Sequence, residues 1–210
     1  MNLIDTLNWR YTTKRMTGVE IPQEKVNRIL NAINLSASSL GLQPYKILVI
    51  KNKDLKQELL PAANNQPQIV ECSHLLVFAA YSNLSKEHAE EFIQLQSRVK
   101  NIAPEKFSGL KNMIVRNVIP RGDETNFIWA SKQAYIALGT GLIASAEEQV
   151  DSTPMEGFNS LEFDRILQLD QKGLKSLVLL ALGYRDETTD QLSKGPKVRK
   201  NISDLIIEVN

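Results

Sequence analysis

The sequence predicts an α+β fold. Strands are predicted for three short apolar segments, at residues 45–50, 74–81 and 176–184. Helical patterns of unequal length separate them without strict βαβ alternation, which favours α+β over a doubly wound sheet. The longest helical pattern, 123–149, has apolar and small residues over a wide face and needs several neighbours to cover it. We expect helices packed against a sheet, with this long helix in the core.

The first part of the chain contains helices of different character. A short first helix is predicted at residues 2–9. Residues 21–35 predict an amphipathic helix, because Pro22 lies in the first turn and apolar residues recur at spacings of three and four. A short helix is predicted at 53–62 and a loop at 64–68, where a proline and paired asparagines oppose regular structure.

The second part is more polar between its apolar segments. Residues 85–118 predict a mostly helical region, and 153–158 predict a loop. Asn159 is placed to cap the helix that follows this loop. After the third strand, 189–201 predict a basic loop and 202–209 a last extended segment.

Composition limits the class of protein. The 210 residues include 25 basic and 24 acidic side chains, so no overall field favours nucleic acid or an acidic membrane, and we expect neither as a partner. Cys72 is the single cysteine, which excludes an internal disulfide and fits a reducing compartment. The longest apolar run is shorter than the roughly 20 residues that span a bilayer. We expect a cytoplasmic protein with one domain over 1–210.

One motif suggests a dinucleotide site. GTGLIA at 139–144 matches G-x-G-x-x-A, which would indicate a Rossmann-type NAD(P) dehydrogenase. That fingerprint requires a strand before it, whereas the preceding NFIWASKQAYIAL has helical periodicity. We therefore expect these glycines inside a helix, where small residues allow close packing, and keep the dehydrogenase as an alternative.

The histidines give weak signals. His74 is two residues from Cys72 on a predicted strand, so a nucleophile–base pair is possible in principle, but a structural histidine is the better interpretation. His88 lies among carboxylates in KEHAEE, which is more typical of a solvated helix face than of a metal site. We expect no metal, and no motif indicates hydrolytic chemistry.

Two basic clusters lie at opposite ends of the chain, RYTTK at 10–14 and KGPKVRK at 194–200. In the second cluster Lys197 and Arg199 are two positions apart, so they face the same way on an extended segment. Together with Arg10 they can clamp one dianionic phosphate. Taken alone, each cluster is more typical of a solvated surface.

With both clusters in place, the sequence resembles the FMN-dependent nitroreductase family, close to its oxygen-insensitive NAD(P)H nitroreductases and flavin reductases. The landmarks are RYTTK (10–14), SASSLGLQPY (36–45), NNQPQIVECSHLLVF (64–78), WASKQAYIALG (129–139), TPMEGF (153–158) and KVRK (197–200). The resemblance implies a central mixed sheet flanked by helices, with a long core helix. It also implies that such α+β subunits form an intertwined homodimer with FMN at two interface sites. It also implies ping-pong hydride transfer from NADH or NADPH through FMN to nitroaromatics, quinones or flavins.

The resemblance implies roles at the two ends of FMN. The implied phosphate ligands are Arg10, Lys197 and Arg199, and the residues lining the same end are Tyr11, Thr12 and Thr13. Lys14 would reach the pyrimidine edge of the flavin, where positive charge stabilises the reduced form. The implied residues at the ring are Ser38 and Ser39 of the other subunit, Asn65, Pro154 and Met155. The backbone N–H of Glu156, beside Gly157, would point at flavin N5, which accepts hydride. No side-chain nucleophile is needed.

NAD(P)H would lie near Lys14 and Gln68. Relatives often carry lysine at position 68, so the neutral Gln68 weakens the prediction of affinity for the additional phosphate of NADPH. They also carry asparagine where this chain has Gly41. Because glycine has no side chain, this chain lacks one side-chain contact to the flavin side. The absence of a lysine at position 68 leaves a non-catalytic flavin-binding dimer as a further alternative.

Overall fold

The structure is a computed structural model that describes residues 2–209, except for the side chain of Lys194. Its α-helices are α1 (Leu3–Trp9), α2 (Gln23–Asn34), α3 (Lys53–Leu59), α4 (Gln68–Glu71), α5 (Lys86–Lys100), α6 (Ser108–Met113), α7 (Asp123–Glu147), α8 (Ser160–Leu167) and α9 (Ile202–Leu205). Its strands are β1 (Tyr45–Ile50), β2 (His74–Tyr81), β3 (Asp151–Met155) and β4 (Leu174–Gly183). The three predicted strands correspond to β1, β2 and β4, and the long predicted helix is α7.

Local signals explain where several helices begin. Asn2 caps α1 by accepting the N–H of Asp5 on its side chain at 3.0 Å. Asn159 caps α8 through the N–H of Glu162 at 3.3 Å, which confirms the predicted cap. The predicted helical region 85–118 consists of α5, α6 and a π-helical turn, joined by a short 3₁₀ segment.

The sheet has the order β1-β2-β4-β3, and each neighbouring pair is antiparallel. A mixed sheet contains both parallel and antiparallel pairs. Within the described residues, parallel pairing occurs only at an isolated bridge between Thr12 and Ser152. This bridge places the first basic cluster beside the outer strand β3. The strand β1 therefore forms one edge of the sheet. The strand β3 forms the other edge, with the segment around Thr12 beside it.

Three segments differ from their prediction. The predicted loop 153–158 begins inside β3, because Pro154 lacks an N–H but is tolerated in an outer strand. Residue 68, the last of the predicted loop 64–68, starts α4. The predicted extended segment 202–209 begins with the single turn α9, which the N–H of Ile206 closes on the carbonyl of Ile202 at 2.9 Å. Ile206 itself is extended.

The core lies on both faces of the sheet. Leu76 and Phe78 of β2 pack in the cluster that contains α2 and α7 residues, and Leu75 and Val77 pack in the cluster that contains α3 and α8 residues. Successive side chains of a strand point to opposite faces, so a strand covered on both faces is apolar throughout. This explains why β2 could be predicted from a continuous apolar run.

The helix α7 contains the whole GTGLIA motif, so the glycines lie inside a helix as expected and the Rossmann alternative is wrong. A side chain at Gly141 would place its Cβ 3.1 Å from Cδ1 of Ile33 in α2 and 3.4 Å from Cδ2 of Leu180 in β4. Glycine therefore lets α7 approach its neighbours closely. Across residues 2–209, no helix combines the length and apolar character needed to cross a membrane.

Candidate functional site

A cavity of about 370 Å³ opens where the end of α1 meets the basic loop near the C-terminus. Arg10 and Thr12 of the first basic cluster line it, together with Lys197 and Arg199 of the second. The two clusters therefore face one space, although Arg10 and Lys197 are 187 positions apart in the sequence. Their convergence is what the phosphate-clamp interpretation required.

Lys197 holds the two clusters together. Its Nζ donates to the backbone carbonyl oxygens of Arg10 at 2.6 Å and Asn8 at 3.2 Å, and also to that of Leu7. A lysine ammonium has three N–H donors, so all of them are used at the C-terminal end of α1. The ammonium also complements the negative end of the helix dipole. In this conformation Lys197 contributes charge to the cavity, while its donors fix α1.

The cations of the cavity are close enough to disfavour one another. Burial, then the charge of Arg199, lowers the pKa of Arg10. Burial, then the charges of Arg10 and Arg199, lowers the pKa of Lys197. An anion bound between these side chains would relieve this repulsion.

Arg10 also has an unused donor. Its Nε is buried and has no hydrogen-bond partner within the described part of the chain. A buried donor without an acceptor costs free energy, and a phosphate oxygen is a suitable partner for a guanidinium. The unpartnered Nε and the clustered cations therefore fit a phosphate group.

Arg185, which the sequence analysis missed, organises the residues around Arg10. Its guanidinium lies between two aromatic rings, 4.4 Å from the centre of Trp9 and 4.7 Å from that of Tyr11. It forms an ion pair at 2.6 Å with Asp151, whose side chain is only 4% exposed. Burial alone would lower the pKa of Arg185, but the bond to Asp151 raises it. An arginine directly after a strand was the available signal, but its partners lie far away in the sequence.

The segment 11–15 is also held by Asp190, another residue that the sequence analysis missed. Asp190 accepts the hydroxyl of Tyr11 at 3.0 Å and the backbone N–H of Lys14 at 2.7 Å. Burial, and then the hydrogen bond to Asp190, raises the pKa of Tyr11 to about 12. Thr13 is fully buried, and its carbonyl accepts the hydroxyl of Thr153 in β3. Thr13 is therefore a structural link in this conformation, whereas Tyr11 and Thr12 line the cavity.

The predicted ring-side segment after β3 is fixed by side chains from a neighbouring loop. The carbonyl of Gly157 accepts Nδ2 of Asn64 at 2.8 Å and Nε2 of Gln66 at 2.9 Å. The carboxylate of Glu156 accepts the hydroxyl of Tyr135 at 2.6 Å. Glu156 and Gly157 are exposed and Pro154 is half-buried, so this turn is accessible although its backbone is held.

Met155 and Gln68 are buried inside the subunit, 5% and 2% exposed respectively. Met155 packs in the apolar core below β3, because alternate residues of a strand point inward. Gln68 opens α4. Neither side chain is exposed in the single subunit, and both predicted contacts stay predictions.

Four other predicted residues lie outside the cavity. Lys14, Ser39 and Asn65 are exposed, and Ser38 is half-buried. The Ser39 N–H donates to Oε1 of Gln133 at 2.8 Å, and Asn65 adopts a positive φ of 53° in the turn before α4. The resemblance assigns Ser38 and Ser39 to the site of the other subunit, so a single chain does not bring the complete set together.

The histidines have structural contacts. Nδ1 of His74 lies 2.8 Å from Oγ of Ser73, and Sγ of Cys72 donates to the carbonyl of Ile69 at 3.3 Å. Burial raises the pKa of the Cys72 thiol to about 11, which opposes a role as nucleophile. Nδ1 of His88 accepts the N–H of Ser85 at 3.1 Å in the capping box of α5.

Comparison with known proteins identifies the family. The model of the nitroreductase family matches residues 7–184. The chain belongs to the nitroreductase family. The family match includes the first basic cluster, β3 and the turn at Gly157, and it ends before the second basic cluster. The second cluster is therefore linked to the site by the geometry of the cavity.

Relatives and solved structures agree with the family assignment. This nitroreductase-family chain is 33% identical over 214 residues to the major NAD(P)H-flavin oxidoreductase of Aliivibrio fischeri, covering 97% of each chain. Among solved structures, ydfN of Bacillus subtilis aligns with a TM-score of 0.86 at 19% identity, covering 98% of both chains. A protein of Exiguobacterium sibiricum in complex with FMN aligns with a TM-score of 0.81 at 17% identity, covering 100% of this chain and 98% of that one. These structures confirm the nitroreductase fold.

Proposed function

We propose that this chain is an FMN-dependent NAD(P)H oxidoreductase that transfers hydride to nitroaromatics, quinones or flavins. The observation that carries the proposal is the cationic cavity with the unpartnered Nε of Arg10, in a chain of the nitroreductase family. The relative from Aliivibrio fischeri is named for NAD(P)H and flavin, and the Exiguobacterium sibiricum protein binds FMN. Both findings agree with the proposal that the cavity holds the phosphate of FMN.

The side chains of the cavity suit the phosphate of FMN. Arg10 offers its buried Nε–H, and Arg199 adds a second guanidinium to the lining of the same cavity. Thr12 lines the cavity and can donate its hydroxyl. Lys197 adds positive charge while it anchors α1. Charge-assisted hydrogen bonds of this kind are stronger than neutral ones, so they can retain a cofactor without a covalent link.

Bound FMN would supply the ring that accepts hydride from a reduced nicotinamide and passes it to a second substrate. The residues of this chain would orient and tune that ring. Lys14 would place positive charge near it, and the turn at Glu156 and Gly157 would offer a backbone N–H at a held position. Asn64, Gln66 and Tyr135 keep that turn in place. Fixed geometry is what hydride transfer requires.

The proposal includes a homodimer, which two features of the subunit support. The apolar side chains near the C-terminus are 54–90% exposed: Ile202, Leu205, Ile206, Ile207 and Val209. Within residues 2–209, the strand β1 pairs in the sheet with β2 alone, so its other edge is open in the described subunit. An open edge can pair with an extended segment of a second chain, and exposed apolar residues favour such burial. Intertwining through the C-terminal segment is therefore our proposed arrangement. A cytoplasmic location stays a prediction from the single cysteine.

One experiment tests the activity. The purified protein is examined for a flavin absorption spectrum, then mixed with NADH or NADPH without oxygen, and finally with a benzoquinone. We expect a yellow protein that bleaches with one of the nucleotides and regains its colour with the quinone. Colourless protein that cannot be reconstituted with FMN would contradict the proposal.

The same experiment tests the remaining alternative. A yellow protein that neither nucleotide bleaches would favour a non-catalytic flavin-binding dimer. The feature that favours this alternative is the neutral Gln68 at a position where the resemblance implies a lysine. Comparison of the two nucleotides also gives the preference for NADH or NADPH.

A further inference from the structure

Asp190 is a buried carboxylate that contacts the first basic cluster and lies in the turn just before the second. Its side chain is 2% exposed, and it is outside the cavity. Oδ2 accepts hydrogen bonds from the hydroxyl of Tyr11 at 3.0 Å and from the backbone N–H groups of Lys14 at 2.7 Å and Arg15 at 3.4 Å. Oδ1 accepts the N–H of Leu192 at 3.0 Å. One side chain therefore links the segment 11–15 to the turn that leads into the second cluster.

The four donors use the acceptor capacity of an ionised carboxylate. Such a group has about four lone-pair positions and no donor of its own. A neutral amide of the same shape has only one acceptor oxygen. It therefore cannot accept the hydrogen bonds of Tyr11 and Lys14 on one side and that of Leu192 on the other. The backbone of Asp190 continues the link, because its carbonyl accepts the hydroxyl of Ser193 at 2.7 Å.

We propose that Asp190 is a positioning residue that sets the relative placement of the two basic clusters around the flavin phosphate. The inference rests on the proposed function, since it assigns a role toward FMN. Asp190 itself does not line the cavity, so it would act through its neighbours and not on the phosphate directly. It fixes Tyr11, which lines the cavity, and the backbone next to Lys14, and at the same time it anchors the turn before Lys197 and Arg199.

The placement predicts a specific defect. Without the common acceptor, the bonds of Lys197 to the end of α1 still join the two clusters, but the segment 11–15 is released from the turn before the second cluster. A phosphate then contacts both clusters in poorer geometry. A flavin with a phosphate should lose affinity, whereas riboflavin, which lacks the phosphate, should be affected much less. A residue with only a general structural role would weaken both flavins to the same extent.

The test compares the dissociation constants of FMN and riboflavin in full-length wild-type protein and in Asp190→Asn. We expect the preference for FMN over riboflavin to fall by about tenfold in the variant, which is the effect of one lost charge-assisted bond. We also expect faster hydrogen exchange at the N–H groups of Lys14 and Leu192. If Asp190→Asn does not fold, Tyr11→Phe removes one of the four donors and should reduce the same preference by a smaller factor.

Asp164→Asn is the matched control. Asp164 is also buried, at 5% exposed, and accepts a backbone N–H, that of Ser176 at 2.8 Å, but it lies in α8. It should lower the melting temperature and leave the FMN preference at its wild-type value. The inference would be overturned if Asp190→Asn kept the wild-type preference for FMN over riboflavin. It would also be overturned if Asp164→Asn lost as much of this preference as Asp190→Asn. Wild-type protein that binds neither flavin would instead show that the proposed function is wrong, and the inference with it.

Discussion

Arg10 is the residue on which the phosphate site depends most directly. Its guanidinium is partly buried beside Lys197 and Arg199, and its Nε has no partner in the described structure. Such an arrangement is unfavourable for the chain alone, because like charges repel and a buried donor is left without an acceptor. Side chains that bind a charged ligand are often kept in this state, since the ligand supplies the missing interaction.

The substitution Arg10→Ala should weaken FMN binding by about 1.5–3 kcal/mol, the usual contribution of a hydrogen bond to a charged group. Riboflavin binding should change much less. Quenching of flavin fluorescence measures both affinities. Arg165→Ala is the control, because Arg165 forms an exposed ion pair with Glu162 on α8. Unchanged FMN affinity in Arg10→Ala would remove this residue from the site.

Tyr135 gives a pH dependence with a defined sign. Burial, and then its bond to Glu156, raises the pKa of Tyr135 from 10.0 to about 12. A pKa that folding raises adds stability below the unfolded value, and that stability is lost as pH rises through the folded value. The free energy of unfolding should therefore fall between pH 10 and pH 12.

Urea unfolding over this pH range checks the prediction. The free energy of unfolding of Tyr135→Phe should fall less than that of wild type, because one of the tyrosines with a raised pKa is absent. Some fall should remain, since the pKa of Tyr11 is also raised to about 12. The ultraviolet absorbance of tyrosinate gives an independent reading of the same ionisation. A variant with the full wild-type fall would show that Tyr135 does not contribute.

At the scale of elements, the sequence predicted the strands that are rich in apolar residues. The predicted bounds of β1 and β2 are those observed, although only β2 is buried along nearly its whole length, whereas Lys46 and Val49 of β1 are exposed. The strand β3 could not be predicted, because it begins with Asp151, Ser152 and Thr153 and contains a proline. These polar side chains are buried by contacts with the distant segment at Thr12 and Thr13 and with Arg185, which local patterning does not reveal.

The packing of α7 allows a matched test within one helix. Gly141→Val would push a side chain against Ile33 and Leu180, so we expect a loss of about 1–3 kcal/mol in the free energy of unfolding, as for other overpacked cores. At Gly139 a Cβ would meet nothing within 4 Å, so Gly139→Val should change stability by less than about 0.5 kcal/mol. Chemical denaturation compares the two variants. Equal effects would show that Gly141 is not required for close packing.

At the scale of the whole molecule, the sequence could predict the charged ligands of the site but not the residues that position them. Arg10, Lys197 and Arg199 are visible as clusters of charge. Asp190 is an ordinary acidic residue until folding brings it to Tyr11, 179 positions away. The carbonyls that receive Lys197 could not be foreseen either, because they depend on where α1 ends relative to a loop at the other end of the chain.

The dimer is the last element of the proposal, and the C-terminal segment provides its test. In the full-length protein, Ile206→Asp with Ile207→Asp would place two charges in a segment that we expect a second subunit to cover. Burial of an unpaired charge is strongly unfavourable, so association should weaken by at least about tenfold. Sedimentation velocity over a range of protein concentrations measures the change. FMN affinity should fall with it, because the resemblance assigns part of the ring site to the other subunit.

Leu161→Asp is the control for this experiment. Leu161 is an apolar residue of α8 that is 78% exposed, within the range of the C-terminal residues, but it is remote from them in sequence. A charge there should stay in water and leave association unchanged. If the C-terminal variant remains a dimer of wild-type affinity, the segment is not part of the interface. If instead the wild-type protein is a monomer that binds FMN, the subunit alone must complete the ring site, and the roles of Ser38 and Ser39 would have to be reassigned.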